Sequence, residues 1–106
     1  MGTGCLLDNK ESAMKKGQTL YVRIDHRVEG TEFGPTDFDD HVAYLSNVAK
    51  ERYFVGGGFA NTKGGMIIYS AKDMDEARSI ADNDPIIQKN LYRYEMMEWE
   101  PLIISE

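Results

Sequence analysis

Cysteine is nearly absent from this sequence, which has only Cys5. A single thiol excludes a disulfide framework and a four-ligand zinc site within one chain, and it fits a reducing compartment. Long apolar runs are also missing: none approaches the ~20 residues of a membrane span, and residues 1–17 lack the apolar core of a signal peptide. We therefore expect a cytoplasmic protein that has no membrane partner.

Positive charge is scarce as well, and where it occurs it is dispersed. The 106 residues include 12 Lys and Arg against 18 Asp and Glu, which gives a net charge of −6. Because no basic cluster with interleaved aromatic residues is present, the sequence lacks a phosphate-binding footprint and predicts no nucleic-acid partner. The length suits one compact domain.

The first residues differ in composition from the rest of the chain. Residues 1–17 mix glycine, lysine, asparagine, serine and glutamate without a sustained period, and Met14 would itself suit a start of translation. This pattern predicts a flexible N-terminal extension over residues 1–17, followed by a folded domain over residues 18–106. The Leu6-Leu7 pair leaves open that the extension anchors on the domain surface.

A helix is predicted to begin at Thr36, directly after Pro35. Threonine is a favourable N-cap, and three aspartates in the first turn complement the positive end of the helix dipole. Apolar residues recur at three- and four-residue spacing to about Arg52, and His41 lies on that apolar stripe. A histidine there needs an acceptor for its ring N–H. Two interpretations stay open: a core or interface residue with its hydrogen bond satisfied, or a functional residue.

Alternating and helical periods predict the remaining elements. A second helix is expected after Asp73, which forms a capping-box-like N-cap pair with Glu76, and a short helical turn is expected after Pro85. The strands cover residues 20–28, 54–60, 66–70 and about 92–104. This order is that of the α+β ferredoxin-like βαββαβ unit, a four-stranded antiparallel sheet with two helices on one face. Because the other face is bare yet carries apolar side chains, we expect a homodimer or higher homo-oligomer in which two sheets form an α/β barrel.

The glycine run at 56–58 invites a nucleotide-binding interpretation, but the spacing does not support it. Asn61 stands where a dinucleotide fingerprint needs a glycine, and Lys63 is not in a Walker arrangement. Glycines that let a strand bend, or that leave room above the sheet for a helix or a ligand, explain the run better.

Two further polar features have ordinary explanations. Asp39, Asp40 and His41 are adjacent on a helix and diverge around its axis, so they do not predict a metal site. His26 stands near the end of its strand, where a packed or rim histidine is the better interpretation.

Five short motifs, in order over residues 19–100, resemble those of the YciI-like (YCII-related) family. They are Asp40-His41-Val42-Ala43-Tyr44-Leu45, Gly57-Gly58-Phe59, Gly65-Met66-Ile67-Ile68, Asp75-Glu76-Ala77 and Asn83-Asp84-Pro85-Ile86. The resemblance implies a dimeric ferredoxin-like barrel with an active-site histidine and aspartate, which are His41 and Asp84 here. Because the family includes a dehydrochlorinase of a chlorinated hydroxyhydroquinone, it also implies by analogy a small cyclic substrate. The chain departs from the family at Lys89-Asn90, where a small pair is common, and this bears on the shape of the pocket.

A His-Asp pair of this kind implies proton-transfer chemistry. The carboxylate accepts a proton from one ring nitrogen, and the other nitrogen takes a proton from the substrate or returns one. Elimination, such as dehydrochlorination, and isomerisation need no more, so neither a cofactor nor a metal is expected. The predicted substrate contacts are Tyr21, Arg23, Gly58 and Phe59. The alternative is a non-catalytic subunit that binds a small ligand or another protein and retains the fold.

Overall fold

The computed structural model describes residues 17–105. The strands are β1 (Leu20–Arg27), β2 (Phe54–Gly58), β3 (Gly65–Tyr69) and β4 (Tyr92–Trp99). The helices are α1 (Asp37–Ala49), α2 (Met74–Asp82) and α3 (Pro85–Gln88). The predicted order of elements is therefore correct. The predicted extension lies outside the described residues except for Gly17, so that domain boundary stays a prediction.

The four strands form one antiparallel sheet in the order β2-β3-β1-β4. Both long helices lie on one face of it. Tyr69 Oη on β3 donates to the carbonyl oxygen of Ala77 on α2 at 2.6 Å, and Leu45 on α1 belongs to the same core cluster as Tyr69. The α+β ferredoxin-like architecture is thus confirmed, whereas the barrel made by two copies stays a prediction.

The face of β1 that the helices cover is its polar face. Tyr21, Arg23 and Asp25 are all buried there, whereas Val22 and Ile24 point to the open face and are only partly buried. An alternating strand ordinarily turns its apolar side toward the core. Here the buried charges are tolerated because they pair with one another and with Asp84, which leaves the apolar side of β1 on the open face.

The start of α1 agrees with the prediction, but its end comes earlier. Thr36 precedes the helix, yet its hydroxyl donates to Asp40 Oδ2 at 3.2 Å instead of accepting a backbone N–H. The helix ends at Ala49, before Arg52, because the N–H of Lys50 bonds three residues back instead of four. Such tightening is common in a final turn.

The break between α2 and α3 positions Asp84. Asp73 Oδ1 accepts from the N–H of Glu76 at 2.9 Å, as the predicted N-cap of α2 requires. Pro85 disfavours helical backbone in the residue before it, and Asp84 is extended, with φ −71° and ψ 129°. Asp84 thereby becomes the N-cap of α3, with Oδ1 accepting from the N–H of Ile86 at 3.1 Å.

The last strand is shorter than predicted, since β4 ends at Trp99 and not near Ile104. Its partner β1 begins at Leu20, opposite Trp99, and Pro101 has no N–H to offer a sheet. The N–H of Gly17 donates to the carbonyl oxygen of Pro101 at 3.1 Å, so the chain before β1 runs beside the chain after β4. Within residues 17–105, no helix has both the length and the apolar character to cross a membrane.

The open face of the sheet leaves apolar side chains in solvent. Val55, Met66, Met97 and Trp99 lie there on three strands, each between 39% and 50% exposed. This is the surface on which the expected dimer depends.

Candidate functional site

His41 and Asp84 are in hydrogen-bond contact although they are far apart in sequence. His41 Nδ1 lies 2.8 Å from Asp84 Oδ2 and 2.9 Å from Oδ1. Because an ionised carboxylate can only accept, Nδ1 carries the proton and donates it, which leaves a lone pair on Nε2. The His41 side chain is 14% exposed, and Nε2 has no hydrogen-bond partner within residues 17–105. Nε2 is therefore available to a ligand.

The carboxylate of Asp84 is completely buried and held from three directions. Besides His41, it accepts from Arg23 Nη2 at 3.0 Å and from the N–H of Ile86 at 3.1 Å. Three donors on two oxygens restrict its rotation. The orientation of the His41 ring is consequently set before any ligand binds.

Arg23 joins Asp84 to a second buried carboxylate, Asp25. Arg23 Nε donates to Asp25 Oδ1 at 2.7 Å, and the whole Arg23 side chain is inaccessible to solvent. Burial by itself lowers the pKa of the guanidinium, but the two carboxylates outweigh burial and hold that pKa above its usual value. Its Nη1 is buried without an acceptor in the described part of the chain. Arg23 is thus a permanent cation inside the fold.

Asp25 differs from an ordinary surface aspartate. Burial raises the pKa of Asp25, the contact with Arg23 opposes that rise, and the nearby charge of Asp84 adds to it. The net direction is upward because the carboxyl is almost fully enclosed and shares one guanidinium with another carboxylate.

Lys89 fastens the start of α1 to the end of α3. Its Nζ donates to Asp37 Oδ1 at 2.6 Å, and Asp37 Oδ2 accepts from the N–H of Gly34 at 2.6 Å. The bond to Lys89 lowers the pKa of Asp37, and the same bond raises the pKa of Lys89. Lys89, which stands where the family often has a small residue, therefore holds the start of the helix that carries His41.

A cavity of about 480 Å³ opens between α1 and the β2-β3 hairpin. His41 and Asp25 both line it, and its other walls are largely apolar, including Phe33, Phe38, Val42, Leu45, Phe54 and Tyr92. Phe38 and Val42 belong to the apolar stripe of α1 but are exposed, because they face this cavity. A largely apolar cavity with a few convergent polar groups is typical of a small-molecule site.

The glycines of the hairpin form one wall of the cavity. A Cβ on Gly65 would lie 2.7 Å from the carbonyl oxygen of Gly57, so the close approach of β2 and β3 requires glycine there. A Cβ on Gly58 would meet only the carbonyl oxygen of Gly64, at an ordinary 3.7 Å. Gly58 therefore leaves space that the cavity uses, and the hairpin itself does not demand a glycine at this position.

The residues predicted to contact substrate fall into two groups. Gly58 lines the cavity. Tyr21, Arg23 and Phe59 are not among the residues that line it: Tyr21 belongs to the core cluster, and Arg23 is enclosed between two carboxylates. Phe59 is partly exposed beside Gly64, at the edge of the cavity. The contact of these three residues with a substrate stays a prediction.

Sequence reasoning missed Asp25. It is absent from the predicted site residues, yet it is 4% exposed and lines the cavity beside His41. The alternation of β1 could have indicated Asp25, because it lies on the same face of the strand as Arg23, a predicted substrate contact. The other histidine, His26, is on the open face, where its Nε2 lies 2.9 Å from Glu95 Oε1.

Comparisons with known proteins identify the family and support the fold. Residues 19–100 match the YCII-related domain family. A solved structure of 5-chloro-2-hydroxyhydroquinone dehydrochlorinase from Burkholderia phenoliruptrix AC1100, in complex with 2,5-dihydroxybenzoquinone, has a similar fold, with a TM-score of 0.58 and 20% sequence identity. The similarity covers 76% of this chain and 93% of that chain. No curated protein sequence matches the chain.

Proposed function

The chain belongs to the YCII-related family, and on that premise we propose that it is an acid/base enzyme in which His41 and Asp84 move a proton on a small cyclic substrate. The observation that supports this most directly is the bond from His41 Nδ1 to a buried, immobilised Asp84 at the wall of an open cavity. An interaction subunit would have no need to keep that cavity open.

The proposed chemistry begins at His41 Nε2. With Nδ1 protonated and bonded to Asp84, Nε2 is the basic nitrogen and takes a proton from a carbon or hydroxyl of the substrate. Asp84 then faces an imidazolium, which its charge stabilises, as in other His-Asp pairs. In an isomerisation the proton returns to a different atom, whereas in a dehydrochlorination the released electron pair expels chloride. Neither route requires a cofactor.

The walls of the cavity favour a flat ring. Phe33, Phe38, Phe54 and Tyr92 supply aromatic surfaces, and the glycine wall leaves room for a planar group to lie close to the backbone. The structurally similar dehydrochlorinase was solved with 2,5-dihydroxybenzoquinone. We therefore propose a hydroxylated ring or quinone as the substrate class.

A hydrogen-exchange experiment with 2,5-dihydroxybenzoquinone tests this proposal. In heavy water, a ring carbon that accepts a deuteron and then loses its proton to His41 exchanges its hydrogen, and proton NMR records the loss of signal. We expect binding by calorimetry and an exchange rate well above that of buffer alone. Gly58→Val is the matched control, because its side chain enters the cavity and should abolish binding while the melting temperature stays near that of the wild type.

The outcomes separate the candidate functions. Binding with accelerated exchange supports the enzyme. Binding that Gly58→Val removes, without exchange, identifies a ligand-binding subunit instead. A folded wild-type protein that does not bind the quinone contradicts the proposed substrate class.

We also propose that two copies pair through their open sheet faces to form an α/β barrel. The support is the exposed apolar set Val55, Met66, Met97 and Trp99, which one subunit leaves in solvent. A self-complementary sheet face related by a two-fold axis would cover all four at once.

Sedimentation equilibrium at micromolar concentration is expected to give a dimer, and Met97→Glu should weaken it by about 100-fold or more, because the interface would enclose an unpaired carboxylate from each copy. Ile103→Glu makes the same chemical change at a residue that is 98% exposed and outside the sheet, so it should leave the dimer intact. A wild-type monomer under these conditions would exclude the barrel.

A further inference from the structure

Asp25 is the only carboxylate within residues 17–105 that lines the cavity beside His41. The proposed chemistry of His41 and Asp84 gives it no role. It lies on β1 and His41 lies on α1, so the two residues reach the cavity from different elements, while Asp84, which precedes α3, contacts His41 from outside the cavity lining.

We infer that Asp25 is a second proton-transfer residue of this cavity, a neutral carboxylic acid that donates its proton through Oδ2 to a substrate oxygen while His41 Nε2 removes a proton from carbon. This inference rests on the function proposed above and adds the acid to its base.

The two oxygens of Asp25 have different surroundings. Oδ1 accepts from Arg23 Nε at 2.7 Å. Oδ2 accepts no hydrogen bond within residues 17–105, and it is not among the buried polar atoms that lack a partner, so it meets the cavity space. A carboxylic acid anchored through one oxygen presents its hydroxyl in one direction, which suits a proton donor.

Burial favours the neutral form of Asp25, with help from the charge of Asp84 and against the contacts with Arg23 and the charge of His41. Arg23 is a single cation, and it serves both Asp25 and Asp84 through neighbouring nitrogens of its guanidinium. With both carboxylates ionised, the enclosed group would carry a net negative charge, and protonating one of them removes it. Asp84 also faces His41, while Tyr94 on β4 contributes a neutral ring near Arg23. The raised pKa of Asp25 has the same direction.

The step balances without an added reactant. The proton on a substrate carbon moves to His41 Nε2, the C–H electron pair forms a carbon–carbon double bond, and the adjacent carbonyl oxygen takes the proton of Asp25. The product is an enol, with His41 now an imidazolium and Asp25 a carboxylate. Running the step backwards restores both groups, and in heavy water it leaves deuterium on the ring.

Asp25→Asn is the test variant, since asparagine keeps an oxygen for Arg23 Nε and a donor toward the cavity but cannot transfer a proton. We expect the affinity for 2,5-dihydroxybenzoquinone to stay close to that of the wild type and the exchange rate to fall by about 100-fold. Asp75→Asn makes the same change on the exposed side of α2 and should exchange at the wild-type rate.

A second measurement does not depend on the ligand. Carbon-13 NMR of the Asp25 carboxyl in the wild type should show titration above the ordinary aspartate value of about 3.9. A carboxyl whose pKa is raised in the folded state makes its full contribution to stability below the unfolded pKa, and this contribution is lost as pH rises through the folded pKa. The free energy of unfolding of the wild type should therefore fall relative to that of Asp25→Asn from about pH 4 upward.

The results distinguish this inference from the function on which it rests. Wild-type exchange that persists unchanged in Asp25→Asn overturns the role of Asp25 alone, and so does an Asp25 carboxyl that titrates at or below about pH 3.9. A wild-type protein without exchange overturns the proposed enzyme and the role of Asp25 together.

Discussion

Replacing His41 with asparagine is expected to slow the hydrogen exchange of 2,5-dihydroxybenzoquinone by about 10²–10⁴-fold, the range typical of losing a general base. Asparagine keeps an N–H near the position of Nδ1, so the bond to Asp84 can persist, but it has no counterpart of Nε2. Affinity for the quinone should change much less than the rate, because the aromatic and glycine walls remain. Proton NMR in heavy water measures the rate, and calorimetry measures the affinity.

The chain offers a matched control for this substitution. His26→Asn removes the other histidine, which is on the open face and pairs with Glu95 away from the cavity. It should leave exchange at the wild-type rate. If both variants slow exchange equally, or if neither does, His41 is not the base and its bond to Asp84 is structural.

Replacing Asp84 with alanine is expected to lower the free energy of unfolding by about 3–5 kcal/mol, since it removes one partner of a buried ion pair. The side chain is fully enclosed, and its loss leaves Arg23 Nη2, His41 Nδ1 and the N–H of Ile86 without their acceptor. This cost is a large part of the stability of a small domain. Urea unfolding followed by circular dichroism measures it.

Asp73→Ala isolates the part of this effect that comes from capping alone. Asp73 caps α2 with one bond to the N–H of Glu76, as Asp84 caps α3, but it is exposed and has no buried cation beside it. It should cost about 1 kcal/mol, the usual value for an N-cap. Equal losses in the two variants would mean that Arg23 and His41 contribute little to the stabilising role of Asp84.

Much of the architecture could be predicted because its signals are local. Strand alternation, the capping pair Asp73 and Glu76, and the break before Pro85 each act over a few residues, and all recur in the structure. Errors occurred at element ends, where contacts from elsewhere decide. β4 stops at Trp99 because β1 offers no partner beyond Leu20, which no local feature of residues 92–104 reveals.

Only part of the candidate site could be predicted from the sequence. His41 was identified from its position on an apolar helical stripe, and Asp84 only from a family resemblance, because nothing in its surroundings indicates what it contacts. Arg23 was predicted as a substrate contact and not as the buried partner of Asp84, and Asp25 was not predicted as a site residue. Alternation shows that two residues share a face, but it does not show which face the helices will cover.

The sequence by itself determined the order of strands and helices, the helix that carries His41 and the uncovered sheet face. Only the tertiary structure decided that the polar face of β1 lies inward, that Arg23 holds both Asp25 and Asp84, and that a cavity remains beside His41. The physical reason is the separation along the chain over which each effect acts. Propensity, capping and periodicity act between neighbours in the chain, whereas the burial of a charge is tolerated only when a partner from a distant segment arrives, and that pairing exists only once the chain has folded.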